Sequence, residues 1–145
     1  MGMTTVCAGQ RPSVPVHDMW IDSWTPHAGG VFRYDAPKSA ASVNVVVGQS
    51  ERGTKSDADW LAAIEAQVKV YAAGPISAAV VSLPAGKAVR ITTTALNGQT
   101  TEDVLQYIVD NGLNEFVVTF VATPTEYRAN LATFGHEVSS FQITN

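Results

Sequence analysis

YIVDNGLNEFVVTF, residues 107 to 120, is the stretch of this sequence that decides the fold. Two runs of aromatic and β-branched residues, the types that favour strands, flank Asn111 and Gly112, a pair typical of tight turns. If these two residues are the centre of the turn, Tyr107 lies opposite Phe116 and both side chains face a core. The stretch therefore predicts an antiparallel hairpin.

This hairpin is the end of a longer series of strands. Strands are predicted at 76–83, 88–96, 102–110 and 115–122, and the connections between them are short and rich in Gly, Pro and Asn. Antiparallel strands joined in this way form a meander. A valine-rich strand is also predicted at 42–48, and valines on both of its sides indicate that both faces are covered.

Two amphipathic helices are predicted, one before the meander and one after it. The first follows the N-cap residue Ser56 and is expected to continue to Gly74, and the second begins at Thr123 and Pro124. The predicted apolar stripes are Trp60, Leu61, Ile64, Val68 and Tyr71 in the first helix and Tyr127, Leu131, Phe134, Val138 and Phe141 in the second.

The predicted sheet has apolar residues on both faces, and two amphipathic helices are present to cover them. The economical packing is one helix on each face. We therefore expect an α+β fold, a three-layer α/β/α sandwich with a central antiparallel meander sheet and helices on both faces. A single domain is expected over residues 14–145, after a flexible N-terminal segment, 1–13, that is rich in Gly, Ser, Thr and Pro.

The composition excludes several classes of protein. The chain of 145 residues is 46% hydrophobic and 15% charged, which is typical of a globular domain. Its apolar runs fall far short of the roughly 20 residues that cross a bilayer, so no transmembrane span is expected. A net charge of -4 argues against a nucleic-acid partner. Because Cys7 is the only cysteine, no intrachain disulfide can form.

The start of the chain leaves two localisations open. Residues 1–15 lack the charged and apolar regions of a signal peptide, which predicts a cytoplasmic protein for the sequence as written. The alternative is a cell-envelope lipoprotein of extracytoplasmic location, anchored at Cys7 after removal of a signal peptide before that residue.

The order of strand, helix, four-strand meander and C-terminal helix resembles the PsbP-like superfamily, and its bacterial branch most of all. The resemblance covers residues 31–141 and is carried by SVNVVV before the long helix, EFVVTFVATPTEY at the last strand and helix start, and the segment from Phe134 through VSSF. The superfamily includes the extrinsic PsbP protein of photosystem II, a Ran-binding nuclear-import protein of yeast and LpqN-type lipoproteins of actinobacteria. Its members are generally non-enzymatic, so the resemblance implies a binding or assembly protein with a protein partner.

Two groups of residues are candidates for the interaction surface. Trp20 and Trp24 share a face in either a helix or a strand, and they form either part of the core or an exposed aromatic patch of the kind enriched at interfaces. Arg90, Thr92 and Thr94 lie on the polar face of the strand 88–96, which is either a solvated surface or a groove for a partner.

An enzyme is the alternative from a different class. A small hydrolase or metal-dependent enzyme would use His17, Asp18 and His27, which with Asp22 form the densest group of metal-ligand residue types. Their spacing matches none of the compact zinc signatures, and the sequence holds no P-loop, dinucleotide-binding or EF-hand pattern. We therefore expect no catalytic activity, no metal and no cofactor, and the sequence leaves the oligomeric state open.

Overall fold

The computed structural model describes residues 5–7, 25–26, 33–35, 41–112, 114–139 and 142–144. Within these ranges the elements in chain order are β1 (Thr5–Cys7), β2 (Thr25–Pro26), β3 (Arg33–Asp35), β4 (Ser42–Gln49), α1 (Asp57–Val68), β5 (Ser77–Leu83), β6 (Gly86–Asn97), β7 (Thr100–Asp110), β8 (Asn114–Ala122), α2 (Pro124–Ser139) and β9 (Gln142–Thr144). The prediction of an α+β fold is confirmed.

The main sheet is antiparallel and has the strand order β2-β3-β4-β8-β7-β6-β5. The predicted meander is present, because each strand from β5 to β8 pairs with the next one in the chain. β4 pairs with the far side of β8, so the β7–β8 hairpin has a strand on each side.

A small parallel pair lies apart from the main sheet. β1 from the start of the chain pairs with β9 near its end, and Cys7 is the register partner of Thr144. Of the predicted flexible segment 1–13, only β1 falls within the described residues. Phe141, the last predicted member of the second apolar stripe, lies outside them.

The predicted register of the β7–β8 hairpin is wrong by two residues. Tyr107 pairs with Val118 and not with Phe116. The last pair before the connection is Asp110 with Glu115, so four residues separate the paired positions in place of two. A shift of two residues keeps each side chain on the face it had, because side chains alternate along a strand with a period of two. The prediction that Tyr107 and Phe116 face a core is confirmed, since both are buried.

Hydrogen bonds within the loop explain its extra length. The backbone amide of Asn111 donates to the carbonyl of Asn114 over 3.1 Å, and the side-chain oxygen of Asn111 accepts from the amide of Asn114 over 2.8 Å. The carboxylate of Asp110 accepts from the amide of Gly112, also over 2.8 Å. Gly112 has a φ of 93°, a conformation that only glycine adopts easily.

The side chains of the sheet enter two separate buried clusters. The α2 cluster contains Val43, Val45, Leu105, Tyr107, Phe116, Val118 and Phe120 from strands, with Phe134 and Val138 from α2. The α1 cluster contains Val89, Ile91 and Ile108 from strands, with Trp60, Ile64 and Val68 from α1. Neighbouring residues such as Tyr107 and Ile108 belong to different clusters, so the clusters lie on opposite faces of the sheet.

Helix α1 begins where the sequence predicts and ends earlier. The hydroxyl of Ser56 accepts a hydrogen bond of 3.1 Å from the backbone amide three residues on, as expected of an N-cap. The helix stops at Val68 although it was expected to continue to Gly74. The segment after the helix is bound to β6, where the amide of Ala73 donates to the carbonyl of Thr94 over 2.8 Å.

Helix α2 runs without interruption through Gly135. Its first turn is closed by the amide of Tyr127, which donates to the carbonyl of Thr123 over 2.8 Å, so the helix starts at the predicted place. Its apolar stripe packs on β8, where the ring centroids of Phe134 and Phe120 are 5.0 Å apart.

The prediction that β4 is covered on both faces is wrong. Val43 and Val45 are buried in the α2 cluster, but Val46 on the other face is 58% exposed. The reason is the position of α1, whose cluster draws its strand residues from β5 to β8 and includes none from β4. Tyr71, assigned to the stripe of the first helix, follows the end of α1 and is 44% exposed.

Candidate binding surface

One end of strands β5 and β6 is exposed on the face that α2 covers elsewhere. α2 packs against β8 and β7, and its cluster takes in Val81, Leu83 and Ala88 at the hairpin end of β5 and β6, so the part of these strands left open lies at their other end. Five exposed or half-buried residues on the same face of β5 and β6 form what we call the polar shelf. Its members are Ser77, Ala79, Arg90, Thr92 and Thr94.

The alternation of side chains along β6 explains why this surface is polar. Val89 and Ile91 point towards α1 and are fully buried, whereas Arg90 between them is exposed and Thr92 is partly exposed. Burying an unpaired guanidinium under a helix would cost several kcal/mol, by the usual penalty for a charge without a partner. Arg90, Thr92 and Thr94, which the sequence singles out, therefore lie side by side on one open surface.

A cleft of about 350 Å³ lies where the polar shelf meets α2. It is lined by Pro75, Ile76, Ser77, Thr92, Thr93, Thr94, Asp103, Val104 and Tyr127. Thr92 and Thr94 of the predicted surface line it directly, while Arg90 lies next to it on β6. The volume is near the lower end of the range for small-molecule sites, roughly 300–1,000 Å³.

Tyr127 lines the cleft on the side of α2, and a stacking contact with a residue of the sheet fixes its ring. Its ring stacks on the ring of Phe120, with 5.3 Å between centroids. Burial raises the pKa of its phenol above the usual 10.0, the charge of Asp103 raises it further, and the charge of Arg90 lowers it. The hydroxyl therefore stays protonated at neutral pH and can donate a hydrogen bond.

Opposite charges lie at the two ends of this surface. Arg90 pairs with Tyr107, and Thr94 pairs with Asp103, so Arg90 and Asp103 are four residues apart along the strands. At the usual rise of a strand this spacing is about 13 Å. The cationic and anionic groups are thus too far apart to form a direct ion pair.

The groups that line the cleft are suited to binding. Hydroxyls come from Ser77, Thr92, Thr94 and Tyr127, and a carboxylate from Asp103. In the part of the chain that the structure describes, no three His, Cys, Asp or Glu residues are grouped as metal ligands would be.

A second charged cluster connects the start of α1 to β6. Asp57 accepts from the guanidinium of Arg52 over 2.6 Å and from the ammonium of Lys87 over 2.9 Å. These hydrogen bonds, the one from Lys87 first, lower the pKa of Asp57 below its usual 3.8. Arg52 also lies 4.3 Å from the centroid of the Trp60 ring. Each group has a partner, which indicates a role in holding α1 on the sheet.

Several predicted site residues lie outside the residues that the structure describes. They are His17, Asp18, Trp20, Asp22, Trp24 and His27. The metal-dependent enzyme and the aromatic patch therefore stay predictions. Cys7 belongs to β1, and its proposed lipid anchor likewise stays a prediction.

Of the residues that line the cleft, the sequence reasoning identified only Thr92 and Thr94, and those it missed include Ser77, Asp103 and Tyr127. Asp103 could have been found, because the turn at Asn97 and Gly98 already placed 102–110 beside the strand that carries Thr94. Tyr127 was assigned to the apolar stripe alone. Its ring does pack on the core, but its position in the first turn of α2 also brings it to the edge of the covered area.

Comparisons with known proteins bear on the fold. No family model and no curated protein matches the sequence. A solved structure that is similar is PA94 from Pseudomonas aeruginosa, a protein of unknown function described as a proposed regulator, with a TM-score of 0.60 over 88% of each chain. The two chains are 13% identical, so the likeness concerns the fold alone. Neither of the two described helices is long and apolar enough to cross a membrane.

Proposed function

We propose that this protein is a non-catalytic binding or assembly protein that holds a protein partner on the polar shelf. The observation that carries the proposal is the uneven cover of one sheet face. The α2 cluster covers this face on β4, β7, β8 and the hairpin end of β5 and β6, and leaves Arg90, Thr92 and Ser77 accessible at the other end. A partner bound there would contact the polar strand residues and the adjoining side of α2.

The shape of the surface favours a macromolecule over a small ligand. Small-molecule sites usually enclose most of the ligand, by roughly 70–90% of its surface. The surface described above is formed by two adjacent strands. The cleft is open along the polar shelf, between Arg90 and Asp103. A protein segment with an acidic group near Arg90 and a basic group near Asp103 would complement both charges.

We also infer a three-layer α/β/α arrangement of PsbP-like type. The support for three layers is the pair of clusters, since α1 and α2 contribute to opposite faces of one sheet. The order of strand, helix, meander and helix supports the PsbP-like assignment. In this arrangement the polar shelf is the part of the central layer left without an outer layer on the α2 side.

Site-specific photocrosslinking in a lysate of the native source tests the proposed function. A photoreactive residue at Thr92, on the shelf, is expected to form a discrete adduct with a protein partner. The matched control carries the same residue at Val46, which is also exposed on a strand but lies on the other face and far from the shelf. Equal adduct patterns from the two positions would overturn the proposal.

A charge reversal gives an independent result. Arg90→Glu is expected to reduce the yield of the Thr92 adduct by about tenfold, because a like charge opposite the partner's acidic group costs on the order of 1 kcal/mol or more. Lys69→Glu, at an exposed position directly after α1, serves as the control for net charge. An unchanged yield with Arg90→Glu would exclude the shelf as the contact surface.

A further inference from the structure

The two edges of the main sheet are built in opposite ways. At one edge lie β2 and β3, which are two and three residues long and contain Pro26, Arg33 and Asp35. Short strands, proline and charged residues are the usual means by which proteins prevent an edge from pairing with another chain. The β2–β3 edge is therefore protected.

The β5 edge has none of these features. β5 has seven residues, SAAVVSL, with no charge and no proline, and all seven pair with β6 in an unbroken register without a bulge. The prolines Pro75 and Pro84 lie just outside the strand at its two ends. Among the described residues none pairs with the outer side of β5. An edge of this length and composition is a template for another strand.

We propose that β5 pairs antiparallel with β5 of a second copy of this chain, so that two sheets join into one across a two-fold axis. In the register centred on Val80, this residue faces its own counterpart, Ala79 faces the second copy's Val81, and Ser77 faces the second copy's Leu83. This interface does not depend on the proposed function, because it uses the backbone hydrogen-bonding groups along the outer side of β5, whereas the shelf consists of side chains on one face, and its test measures the association of the purified chain alone.

The composition of β5 favours a second copy over an unrelated strand. A two-fold interface brings each residue against the same set of residues, so any charge on the strand would meet a like charge nearby. β5 consists of Ser, Ala, Val and Leu alone and avoids this repulsion. The prolines also limit the paired length almost symmetrically, since Pro75 and Pro84 lie five residues before and four residues after Val80.

The position of α1 is compatible with this pairing. α1 contacts β5 and packs on the face opposite the polar shelf. The α1 cluster takes in side chains of both β5 and β6, and two helices that each lie between these strands would be two strand spacings apart, about 10 Å, which is the distance of packed helices. Ala58 and Ala62 are exposed on α1 and leave room for a second helix. The two polar shelves would then adjoin on the other face of the joined sheet.

Sedimentation of the full chain over a range of concentrations tests the interface. We expect a monomer–dimer equilibrium, and a chain that remains monomeric at every concentration up to the millimolar range would overturn the proposal. Ala79→Lys, at an exposed edge position, is expected to weaken dimerisation at least about tenfold. Ser82→Lys provides a second edge variant in case the first does not fold. Val46→Lys, exposed on a strand paired on both sides, should leave the equilibrium unchanged.

Disulfide formation tests the register. In a Cys7→Ser background, Val80→Cys is expected to form a disulfide between copies on mild oxidation, because the two cysteines lie directly opposite each other. Ser82→Cys should not, since residue 82 pairs with residue 78 and is about 13 Å from its own counterpart along the strand. Crosslinking at 82 and not at 80 would overturn this register, and crosslinking at neither position would overturn β5 pairing.

Discussion

The β7–β8 hairpin and the β5–β6 hairpin belong to one meander, yet the first is covered on both faces more completely than the second. In β7–β8 the residues Tyr107 and Phe116 enter the α2 cluster, and Ile108 enters the α1 cluster. In β5–β6 Val89 and Ile91 are buried on the α1 side, whereas Arg90 and Thr92 on the other side are accessible. The difference indicates that the first hairpin contributes more to the stability of the fold, and that the second leaves polar side chains accessible.

Truncation of a large side chain should separate the two hairpins most clearly. Phe120→Ala in β8 is expected to lower the free energy of unfolding by about 3–5 kcal/mol, because Phe120 is fully buried between Phe134 and Tyr127. Leu96→Ala in β6 should change it by less than about 0.5 kcal/mol, since Leu96 is 65% exposed. Urea denaturation measures both. Equal losses would contradict the assignment of stability to the β7–β8 hairpin.

Substitution by alanine should change the free energy of unfolding with opposite signs at Gly112 and Gly135. Gly112 in the hairpin loop has a φ of 93°, so Gly112→Ala is expected to cost about 1–2 kcal/mol although no atom lies within 4 Å of the added Cβ. Gly135→Ala in α2 should stabilise by about 0.5–1 kcal/mol, because the position is helical and equally open. Thermal unfolding of the two variants distinguishes backbone strain from packing, and destabilisation by Gly135→Ala would indicate a contact absent from this structure.

Stability should depend on pH with opposite signs at two carboxyl groups. Burial, with the charges of Glu51 and Asp110, raises the pKa of Glu115 above its usual 4.5. The stability that this carboxyl group contributes is therefore complete below its usual pKa and is lost as the pH rises through its raised pKa. Glu115→Gln is expected to stabilise the protein at neutral pH by less than about 1 kcal/mol, given its partial exposure, and to have little effect in acid.

Asp57 provides the matched case of opposite sign. Its pKa is lowered, so its contribution is present above the usual 3.8 and is lost as the pH falls through the lowered value. Asp57→Asn should accordingly destabilise the protein at neutral pH and become neutral in strong acid. Urea denaturation of both variants over a pH series gives the comparison, and effects of the same sign at the two sites would contradict these environments.

The smallest expected effect is a change in the pKa of Tyr127 in the cleft, and it leaves the fold intact. Asp103→Asn should lower the pKa of Tyr127 and Arg90→Ala should raise it, because the carboxylate disfavours the phenolate and the guanidinium favours it. NMR titration of tyrosine labelled at Cζ measures both shifts, with Tyr127→Phe to assign the signal. If neither variant shifts the pKa of Tyr127, the charges of Arg90 and Asp103 do not act on this side chain.

Much of the fold could be predicted because local patterns and tertiary packing agree. The alternation of Val89 and Ile91 with Arg90 gave the faces of β6 correctly, and the N-cap at Ser56 gave the start of α1. The hairpin register could not be predicted from Asn111 and Gly112 alone. The loop is closed by hydrogen bonds that involve Asn114, which a short turn signal does not specify.

The candidate site was predictable only in part. Arg90, Thr92 and Thr94 stood out because a polar strand face can be recognised from period-two alternation. The cleft depends on where the edge of α2 lies over the sheet, and amphipathic spacing predicts which face of a helix is buried without predicting which strands it crosses. For that reason Tyr127 could be assigned to the core but not to the wall of a cleft.

The parallel pairing of β1 with β9 has a mechanical consequence. Thr5 lies beside Gln142 and Cys7 beside Thr144, so the two strands run in the same direction close to the two ends of the chain. A force applied between those ends pulls the strands along their length in opposite directions. The hydrogen bonds between them are then loaded together in shear and not opened one after another, and stretching the protein must break this short pair before tension reaches the main sheet.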